Sequence, residues 1–311
     1  MTQDTEQEQR EQSDHKTRVT VVIALAANLV IAVAKAVGGL FASSPSLLSE
    51  AAHSVADSLN EIFLLAAVRR SRRPPDRRHP FGYGKERWFW SLLAAVGIFV
   101  MGGCFSFFQA WEALRSHQTV SVPHYVAGLA VLAVALLAEG GSLLRALYQY
   151  RRQGGKAGDP AHRTVIAEDS AAVVGVVLAM AGMALHMATG DAAWEAASSF
   201  SIGLLLVFVA YRLAGESREQ LIGAAVDPER RAAIRRMLDD QPEIDNVAEL
   251  LTMSLGMDTA LVAARVDLVP GLDSEEVETA AERIKKAMAE RWSDADHVFL
   301  DITEAPPRPG R

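Results

Sequence analysis

Long apolar segments fill the first two thirds of the chain and constrain its fold more than any other feature. Each is about long enough to cross a ~30 Å hydrocarbon core at about 1.5 Å per helical residue. Backbone groups in lipid must be hydrogen-bonded internally, so segments of this length are predicted to be transmembrane helices. The six segments are 19–41, 47–68, 88–114, 125–148, 165–187 and 194–213.

Charge separates this apolar part from the rest of the chain. Residues 19–215 carry 12 acidic and 16 basic residues, whereas residues 216–311 carry 21 acidic and 12 basic ones. We therefore predict a six-helix transmembrane domain over 19–215 and a soluble acidic domain over 216–304. The polar stretches 1–18 and 305–311 are predicted to be disordered, the first of them as a cytoplasmic tail. An acidic soluble domain also argues against nucleic-acid binding, which needs a basic face.

The soluble domain shows alternating helical and strand patterns. Their order is α-β-β-α-β, which favours a small ferredoxin-like α+β sandwich with its helices on one face of the sheet. A domain of about 85 residues buries a modest core, so we expect it to dimerise. The elements are predicted at 228–238, 247–257, 260–268, 274–291 and 298–303.

Basic residues predict the orientation in the membrane. The loop 69–87 between the second and third segments holds eight Lys and Arg residues, and Arg151, Arg152, Lys156 and Arg163 follow the fourth segment. By the positive-inside rule both termini are cytoplasmic. Residues 1–18 have neither the apolar core of a secretory signal nor an Arg-rich presequence pattern, and the Ala- and Arg-rich composition favours a bacterial plasma membrane.

A polar stripe interrupts the second segment. His53 and Asp57 are four residues apart, and Asn60 and Glu61 continue the same helical face. Ionisable groups within a membrane helix are costly and commonly mark an ion pathway, so we interpret the stripe as a metal site. The alternative is that His53 and Asp57 bond to each other and lock helix packing.

Other polar side chains lie in the remaining segments. Lys35 could snorkel or pair with a carboxylate. Glu139 stands beside Gly140 and Gly141, small residues that would permit close helix packing. The single cysteine, Cys104, is predicted to be a small core residue, and His186 is predicted to be interfacial.

The adjacent Glu168 and Asp169 lie near the start of the fifth segment. They could cap the positive end of that helix or contribute to an ion site.

The helices, the tail domain and two sequence motifs together resemble the cation diffusion facilitator family of divalent-metal/proton antiporters. The motifs are SEAAHSVADSLNE from Ser49 and HPFGYGKER from His79, with Lys35 upstream, and the resemblance covers about residues 18–304. It implies a transporter rather than an enzyme, with transported metal in place of a permanently bound cofactor. It also implies metal ligands from a His-x-x-x-Asp or Asp-x-x-x-Asp motif on the second helix and a His-x-x-x-Asp motif on the fifth.

The fifth helix departs from that family pattern. Asp169 matches the family aspartate, but Val165 stands where the histidine is expected. The local Glu-Asp resembles a subgroup that includes a mitochondrial zinc transporter, so Glu168 is a candidate replacement for the missing ligand. The implied site is therefore His53, Asp57, Asp169 and Glu168, with Asn60, Glu61, Lys35 and Glu139 orienting ligands or coupling protons. One imidazole with carboxylates suits Zn²⁺, and also Mn²⁺, Fe²⁺ or Co²⁺.

Two further family metal sites are only partly represented. Asp76 and His79 match a loop site, although Tyr83 replaces its next histidine, so we interpret them mainly as loop structure. In the tail, His297 and Asp301 are weak candidates for a regulatory metal.

The sequence thus predicts a homodimeric membrane protein that exports Zn²⁺, or a related divalent cation, in exchange for protons. The alternative is a membrane-anchored metal sensor or scaffold whose transport site is vestigial, which the altered fifth helix would suit. No HExxH, GxSxG or phosphate-loop motif points to an enzyme.

Overall fold

The computed structural model describes residues 25–115, 122–152, 160–256, 259–292 and 297–304. Within these ranges the chain forms six long helices followed by a small α/β unit. The predicted disordered stretches 1–18 and 305–311 lie outside the described residues.

Each of the six apolar segments corresponds to one long helix. Most of the helices extend beyond the apolar segment, because helical hydrogen bonding continues into the flanking polar residues. The helices are α1 (Leu25–Ala42), α2 (Pro45–Ser71), α3 (Glu86–Arg115), α4 (Val122–Arg152), α5 (Pro160–Thr189) and α6 (Ala193–Ile222).

Among the described residues, five helices are long and apolar enough to cross a membrane, namely α1, α3, α4, α5 and α6. Helix α2 is long enough but carries Glu50, Asp57 and Glu61 along its length, and these lower its hydropathy. Its prediction as a sixth crossing helix therefore remains a prediction.

Contacts divide the chain into two compact units. The first contains residues up to Leu65 together with Ser91–Gly215, and the second contains Ala66–Trp90 together with the residues from Glu216 onward. The predicted transmembrane domain over 19–215 includes residues 66–90, whereas the contacts group these residues with the second unit.

The core of the first unit lies among α1 to α6. Leu47, Leu132, Met183 and Ile202 are fully buried there, each from a different helix. Cys104, predicted as a core residue, is exposed on this unit. It lies in a π-helical stretch of α3, Ile98–Cys104, whose altered rotation about the helix axis changes which residues face inward.

That π-helical stretch packs closely against α6. A Cβ atom added to Gly102 would lie 2.7 Å from Leu206 Cδ1, and one added to Gly103 would lie 2.9 Å from Val207 Cγ2. Small residues at this crossing allow the two backbones to approach, as they do in other membrane helix pairs.

The second unit contains a three-stranded sheet. Its elements are α7 (Pro228–Asp239), β1 (Ile244–Ser254), β2 (Ala260–Leu268), α8 (Ser274–Arg291) and β3 (His297–Ile302). Strand β1 pairs antiparallel with β2, and β2 pairs parallel with β3, so the sheet order is β1-β2-β3. The predicted α-β-β-α-β order is confirmed, while β1 begins three residues before its predicted start at 247.

Caps and a shared core fix the two helices of this sheet. Asp227 accepts hydrogen bonds at the start of α7, and Asp273 forms a reciprocal capping box with Glu276 at the start of α8. One apolar cluster joins both helices to the same face of the sheet, and it contains Ile234, Leu238, Val247, Leu250, Val262, Ala264, Val266, Ile284 and Met288.

The basic loop packs against this sheet within the second unit. The ring centroids of Phe81 and His297 lie 5.0 Å apart, edge to face. The ammonium of Lys85 donates a hydrogen bond to the carbonyl oxygen of Leu221 at 3.5 Å. Backbone contact is closest at Gly84, where an added Cβ would collide with the carbonyl oxygen of Leu255.

We expect Gly84→Ala to loosen the loop, because the backbone opposite has no room to accept a methyl group. Overpacking of this kind typically costs about 1–3 kcal/mol. Tryptic cleavage at the loop arginines, Arg72, Arg73, Arg77 and Arg78, should then become faster in the full-length protein. Gly140→Ala is the matched control, since no atom of the described residues lies within 4 Å of the Cβ it would add. Equal cleavage rates in the two variants would contradict the predicted contact.

Candidate metal site

The His53–Asp57 pair predicted on α2 is present. His53 Nε2 lies 3.1 Å from Asp57 Oδ2, and the Asp57 side chain is 37% exposed while His53 is buried. The other ring nitrogen of His53, Nδ1, has no hydrogen-bond partner among the described residues. A buried imidazole beside an accessible carboxylate can supply two ligands to a cation.

Glu168 on α5 faces this stripe of α2. The Asn60 amide donates a hydrogen bond to Glu168 Oε1 at 3.2 Å. The carboxylates of Asp57 and Glu168 are close enough for their charges to interact. Glu168 therefore lies between the α2 and α5 parts of the predicted metal site.

The side chain of Asp169 contacts α4 and not α2. Its Oδ2 accepts a hydrogen bond from the Ser142 hydroxyl of α4 at 2.9 Å. Successive residues on a helix project about 100° apart, so Glu168 and Asp169 approach different helices. Among the described residues, no three His, Cys, Asp or Glu side chains are grouped closely enough to hold a metal ion. The four predicted ligands are neighbours, but they are not assembled into one coordination shell.

Glu61 lies one helical turn after Asp57 and forms a hydrogen bond with α1. Its Oε1 accepts a hydrogen bond from the Asn28 amide at 2.7 Å, while Oε2 has no partner among the described residues. The hydrogen bonds of Asn28 and Asn60 thus connect α2 to α1 and to α5.

A buried ion network lies beside the metal candidates. The ammonium of Lys35 is 2.8 Å from Glu50 Oε2 and 2.8 Å from Glu139 Oε1. It also donates to the Ser54 hydroxyl at 2.9 Å. Lys35 therefore pairs with carboxylates and does not snorkel, and it connects α1, α2 and α4.

Glu50 was missed as a functional residue by the sequence interpretation. It is fully buried and lies so close to α5 that a Cβ on Gly175 would collide with its Oε1. The signal was available, because Glu50 stands three residues before His53 and seven before Asp57, on the same helical face.

The surroundings of Glu139 differ from the predicted ones. No atom of the described residues lies within 4 Å of a Cβ added to Gly140 or Gly141. These glycines therefore do not mark a close helix contact among the described residues, and the position of Glu139 depends on its ion pair with Lys35.

The loop pair Asp76 and His79 forms a turn. Asp76 Oδ1 accepts from the backbone amides of Arg78 and His79, and its Oδ2 accepts from the Tyr83 hydroxyl at 2.7 Å. These hydrogen bonds, that from Tyr83 first, lower the pKa of Asp76 to about 2. Because this pKa is depressed, the contribution of Asp76 to loop order is present above its usual pKa and is lost only as the pH falls towards 2. Both carboxylate oxygens of Asp76 accept hydrogen bonds within the loop, which agrees with the interpretation of Asp76 and His79 mainly as loop structure.

His297 and Asp301, the two candidate metal ligands of the tail domain, contact different residues. Asp301 Oδ2 accepts from Arg265 Nε at 2.9 Å, and this interaction raises the pKa of Arg265. The ring of His297 packs against Phe81. The described residues therefore do not bring His297 and Asp301 together as a metal pair.

A second buried polar cluster lies at the end of the first unit where α1 turns into α2. It contains His186, which lies three residues before the end of α5, is 4% exposed and is hydrogen-bonded to Tyr125. Its prediction as an interfacial residue remains a prediction. Its tertiary partners come from distant parts of the chain, and no local pattern indicated them.

Ionisable side chains that face one another inside a membrane helix bundle commonly mark an ion pathway. The chain belongs to the cation efflux family, which includes the cation diffusion facilitators: the family's cation efflux transmembrane domain matches residues 21–222.

Curated relatives agree with this assignment. The "Proton-coupled zinc antiporter SLC30A9, mitochondrial" of Xenopus laevis is 30% identical over 258 residues, covering 79% of this chain and 46% of the relative. "Metal tolerance protein C4" of Arabidopsis thaliana is 30% identical over 266 residues, covering 82% and 58%. "Manganese efflux system protein MneP" of Bacillus subtilis is 26% identical over 294 residues, covering 92% and 95%. The chain thus spans about half the length of the first two relatives and nearly all of the third.

We expect Lys35→Met to destabilise the protein by about 3–5 kcal/mol, because it leaves the buried Glu50 carboxylate without its cation. Chemical unfolding in detergent micelles measures the change. The double variant Lys35→Met/Glu50→Gln should recover part of the loss, since it removes the uncompensated charge. Arg145→Met, which removes an exposed cation from α4, is the control and should change stability by less than about 0.5 kcal/mol. If Lys35→Met and Arg145→Met are equally stable, the network does not stabilise the bundle.

Proposed function

We propose that this protein exports divalent metal, with Zn²⁺ as its main substrate, in exchange for protons. The observation that carries the proposal is the His53–Asp57 pair on α2 with Glu168 of α5 facing it, in a chain of the cation efflux family. The relative named as a proton-coupled zinc antiporter supports both the metal and the proton coupling.

In the proposed site His53, Asp57 and Asp169 bind the metal and Glu168 takes the place of the histidine absent at Val165. The Glu-Asp sequence supports the proposed subgroup with that replacement. A small rotation of α5 would bring Asp169 from Ser142 towards Asp57. Asn60 and Glu61 would orient the ligands, since each carries a hydrogen bond to a neighbouring helix.

Transport would follow alternating access, in which helices rock around a fixed site. Metal ligands bind in their deprotonated form, so protons compete with the metal for the same atoms. Entry of protons from outside would then release the metal and return the carrier. The network of Lys35, Glu50 and Glu139 would keep α1, α2 and α4 together during this movement.

The proposed topology has α2 as a sixth crossing helix, both termini in the cytoplasm and a bacterial plasma membrane as the location. Polar residues of α2 form hydrogen bonds with α1 and α5 and not with lipid, which supports the crossing. We propose domain boundaries at 19–215 and 216–304, and a ferredoxin-like tail that dimerises. The exposed Leu251 and Phe299, which flank Ala263 across the sheet, support a partner on that face.

Manganese is the second candidate substrate. The relative named as a manganese efflux protein matches almost the whole chain, and a site with one imidazole and several carboxylates accepts Mn²⁺ more readily than one with two imidazoles.

We expect flux to depend on the proposed ligands. In vesicles with an imposed pH gradient, Asp57→Asn, Asp169→Asn and Glu168→Gln should each reduce Zn²⁺ and Mn²⁺ uptake by at least about tenfold, because each removes an anionic ligand. Glu112→Gln, an exposed carboxylate on α3, is the control and should transport normally.

Collapse of the pH gradient should abolish uptake by the unaltered protein. No flux of any metal through folded protein would contradict the exporter and favour a membrane sensor with a vestigial site, the alternative that the unassembled ligands would suit. Full flux in Glu168→Gln would contradict the role given to Glu168 alone.

Val165→His should shift the preference from Mn²⁺ towards Zn²⁺ by about tenfold, since it adds a nitrogen ligand that zinc favours. Competition between the two metals in the same vesicles measures the ratio. Val165→Leu changes the side chain without adding a ligand, and it should leave the ratio unchanged. An unaltered ratio in Val165→His would mean that this position does not reach the metal.

A further inference from the structure

The loop between α2 and α3 carries a large excess of basic side chains. Residues 69–87 contain eight Lys and Arg residues but only two acidic ones, Asp76 and Glu86. Asp76 accepts the hydrogen bonds of the loop described above. Glu86 Oε2 accepts a hydrogen bond from Trp90 Nε1 at 2.8 Å. Both carboxylates of the loop are therefore already engaged by groups other than its arginines.

Four exposed arginines of this loop have a guanidinium that forms neither a hydrogen bond nor an ion pair with the part of the chain that the structure describes. We call them the arginine patch, namely Arg69, Arg73, Arg77 and Arg78. In the tail domain, by contrast, the exposed Arg235, Arg265 and Arg283 each pair with a carboxylate. The loop and the acidic tail belong to the same compact unit, yet the described tail residues leave the patch unpaired. The patch is therefore available to an anionic partner from outside the chain.

The fold of the loop brings members of the patch together. A Cβ atom added to Gly82 would lie 4.0 Å from the backbone carbonyl oxygen of Arg73, so the loop folds back on itself. The pKa of Tyr83 is raised, first by its hydrogen bond to Asp76, while the nearby charges of Arg73 and Arg78 act in the opposite direction. Arg73 and Arg78 thus lie near the same hydroxyl although they are five positions apart. Groups positioned in advance lose less conformational freedom when a ligand binds.

Aromatic side chains lie next to the patch at the start of α3. This helix begins at Glu86 and is apolar enough to cross a membrane. Its first turns contain Trp88, Phe89 and Trp90, and Phe89 is 52% exposed. The guanidinium of Arg70, in the last turn of α2, lies 5.3 Å from the centroid of the Trp90 ring. Aromatic residues at the ends of membrane helices concentrate at the level of the lipid headgroups, so the patch is expected at that level too.

The chemistry of the patch fits a phosphate group. The planar guanidinium binds two phosphate oxygens at once. Clusters of four to eight basic residues directly beside a membrane helix attract anionic lipids. A soluble phosphate would meet the same guanidiniums, but the exposed Phe89 beside them favours a ligand that also has acyl chains.

We propose that the arginine patch binds the phosphodiester headgroups of anionic phospholipids at the start of α3. This surface is separate from the metal candidates on α2 and α5. The proposal does not depend on metal export, so either one can fail without the other.

Lipid binding to the full-length protein in a nonionic detergent tests the patch. Native mass spectrometry should show phosphatidylglycerol binding at least about tenfold more tightly than phosphatidylcholine with the same acyl chains. The difference should shrink as the salt concentration rises, because salt screens exposed charges.

Arg73→Gln/Arg78→Gln should weaken phosphatidylglycerol binding by at least about tenfold and leave phosphatidylcholine binding unchanged, since it removes two cations that bind the headgroup. Lys285→Gln/Lys286→Gln is the matched control. It removes the same charge from exposed positions of α8 and should bind both lipids as the unaltered protein does.

Equal affinity for the two lipids, or undiminished phosphatidylglycerol binding by folded Arg73→Gln/Arg78→Gln protein, would overturn the proposal. If the double variant does not fold, Arg73→Gln and Arg78→Gln should each weaken binding by about threefold, and unchanged binding in both would also overturn it.

Competition separates the possible partners. Glycerol phosphate that displaces the lipid at equal concentration would make the patch a site for soluble phosphate. Polyglutamate that binds the patch more tightly than the lipid would instead indicate an acidic protein segment. Either result would overturn the assignment to lipid.

Discussion

The buried ammonium of Lys35 is the charge on which the arrangement of the first unit depends. An isolated charge inside an apolar bundle is very unfavourable, so Lys35 must be met by carboxylates. Glu50 and Glu139 come from different helices, and satisfying both fixes α1, α2 and α4 relative to one another. His53 lies one turn from Glu50 on the same face, so the same pairing orients the candidate metal site.

The first unit contains two separate polar clusters. The one around Lys35 and His53 is partly open, since the Asp57 side chain is 37% exposed. The one around His186 and Glu195 is sealed beneath its helix ends, with Leu47 and Met183 packed between the two. One cluster is thus partly exposed, whereas the other is enclosed by the protein.

Hydropathy and helical spacing predicted much of the fold and part of the site. The six helices follow from apolar segments of bilayer length, and the α-β-β-α-β order of the tail follows from alternating helical and strand patterns. The His53–Asp57 contact follows from a spacing of four residues. The family resemblance then indicated Glu168 and Asp169, but their different partners could not be read from adjacency in the sequence.

What the sequence determined by itself is local: which segments are helical, and which side chains share a face, because backbone periodicity fixes these. Tertiary structure alone decided which distant charges meet. Lys35 and Glu139 are 104 positions apart, and Ser44 and Glu195 are 151 apart, so no periodic pattern relates them. Buried charges and hydrogen-bonding groups in an apolar bundle must find partners, and helix packing determines which of the available ones they reach.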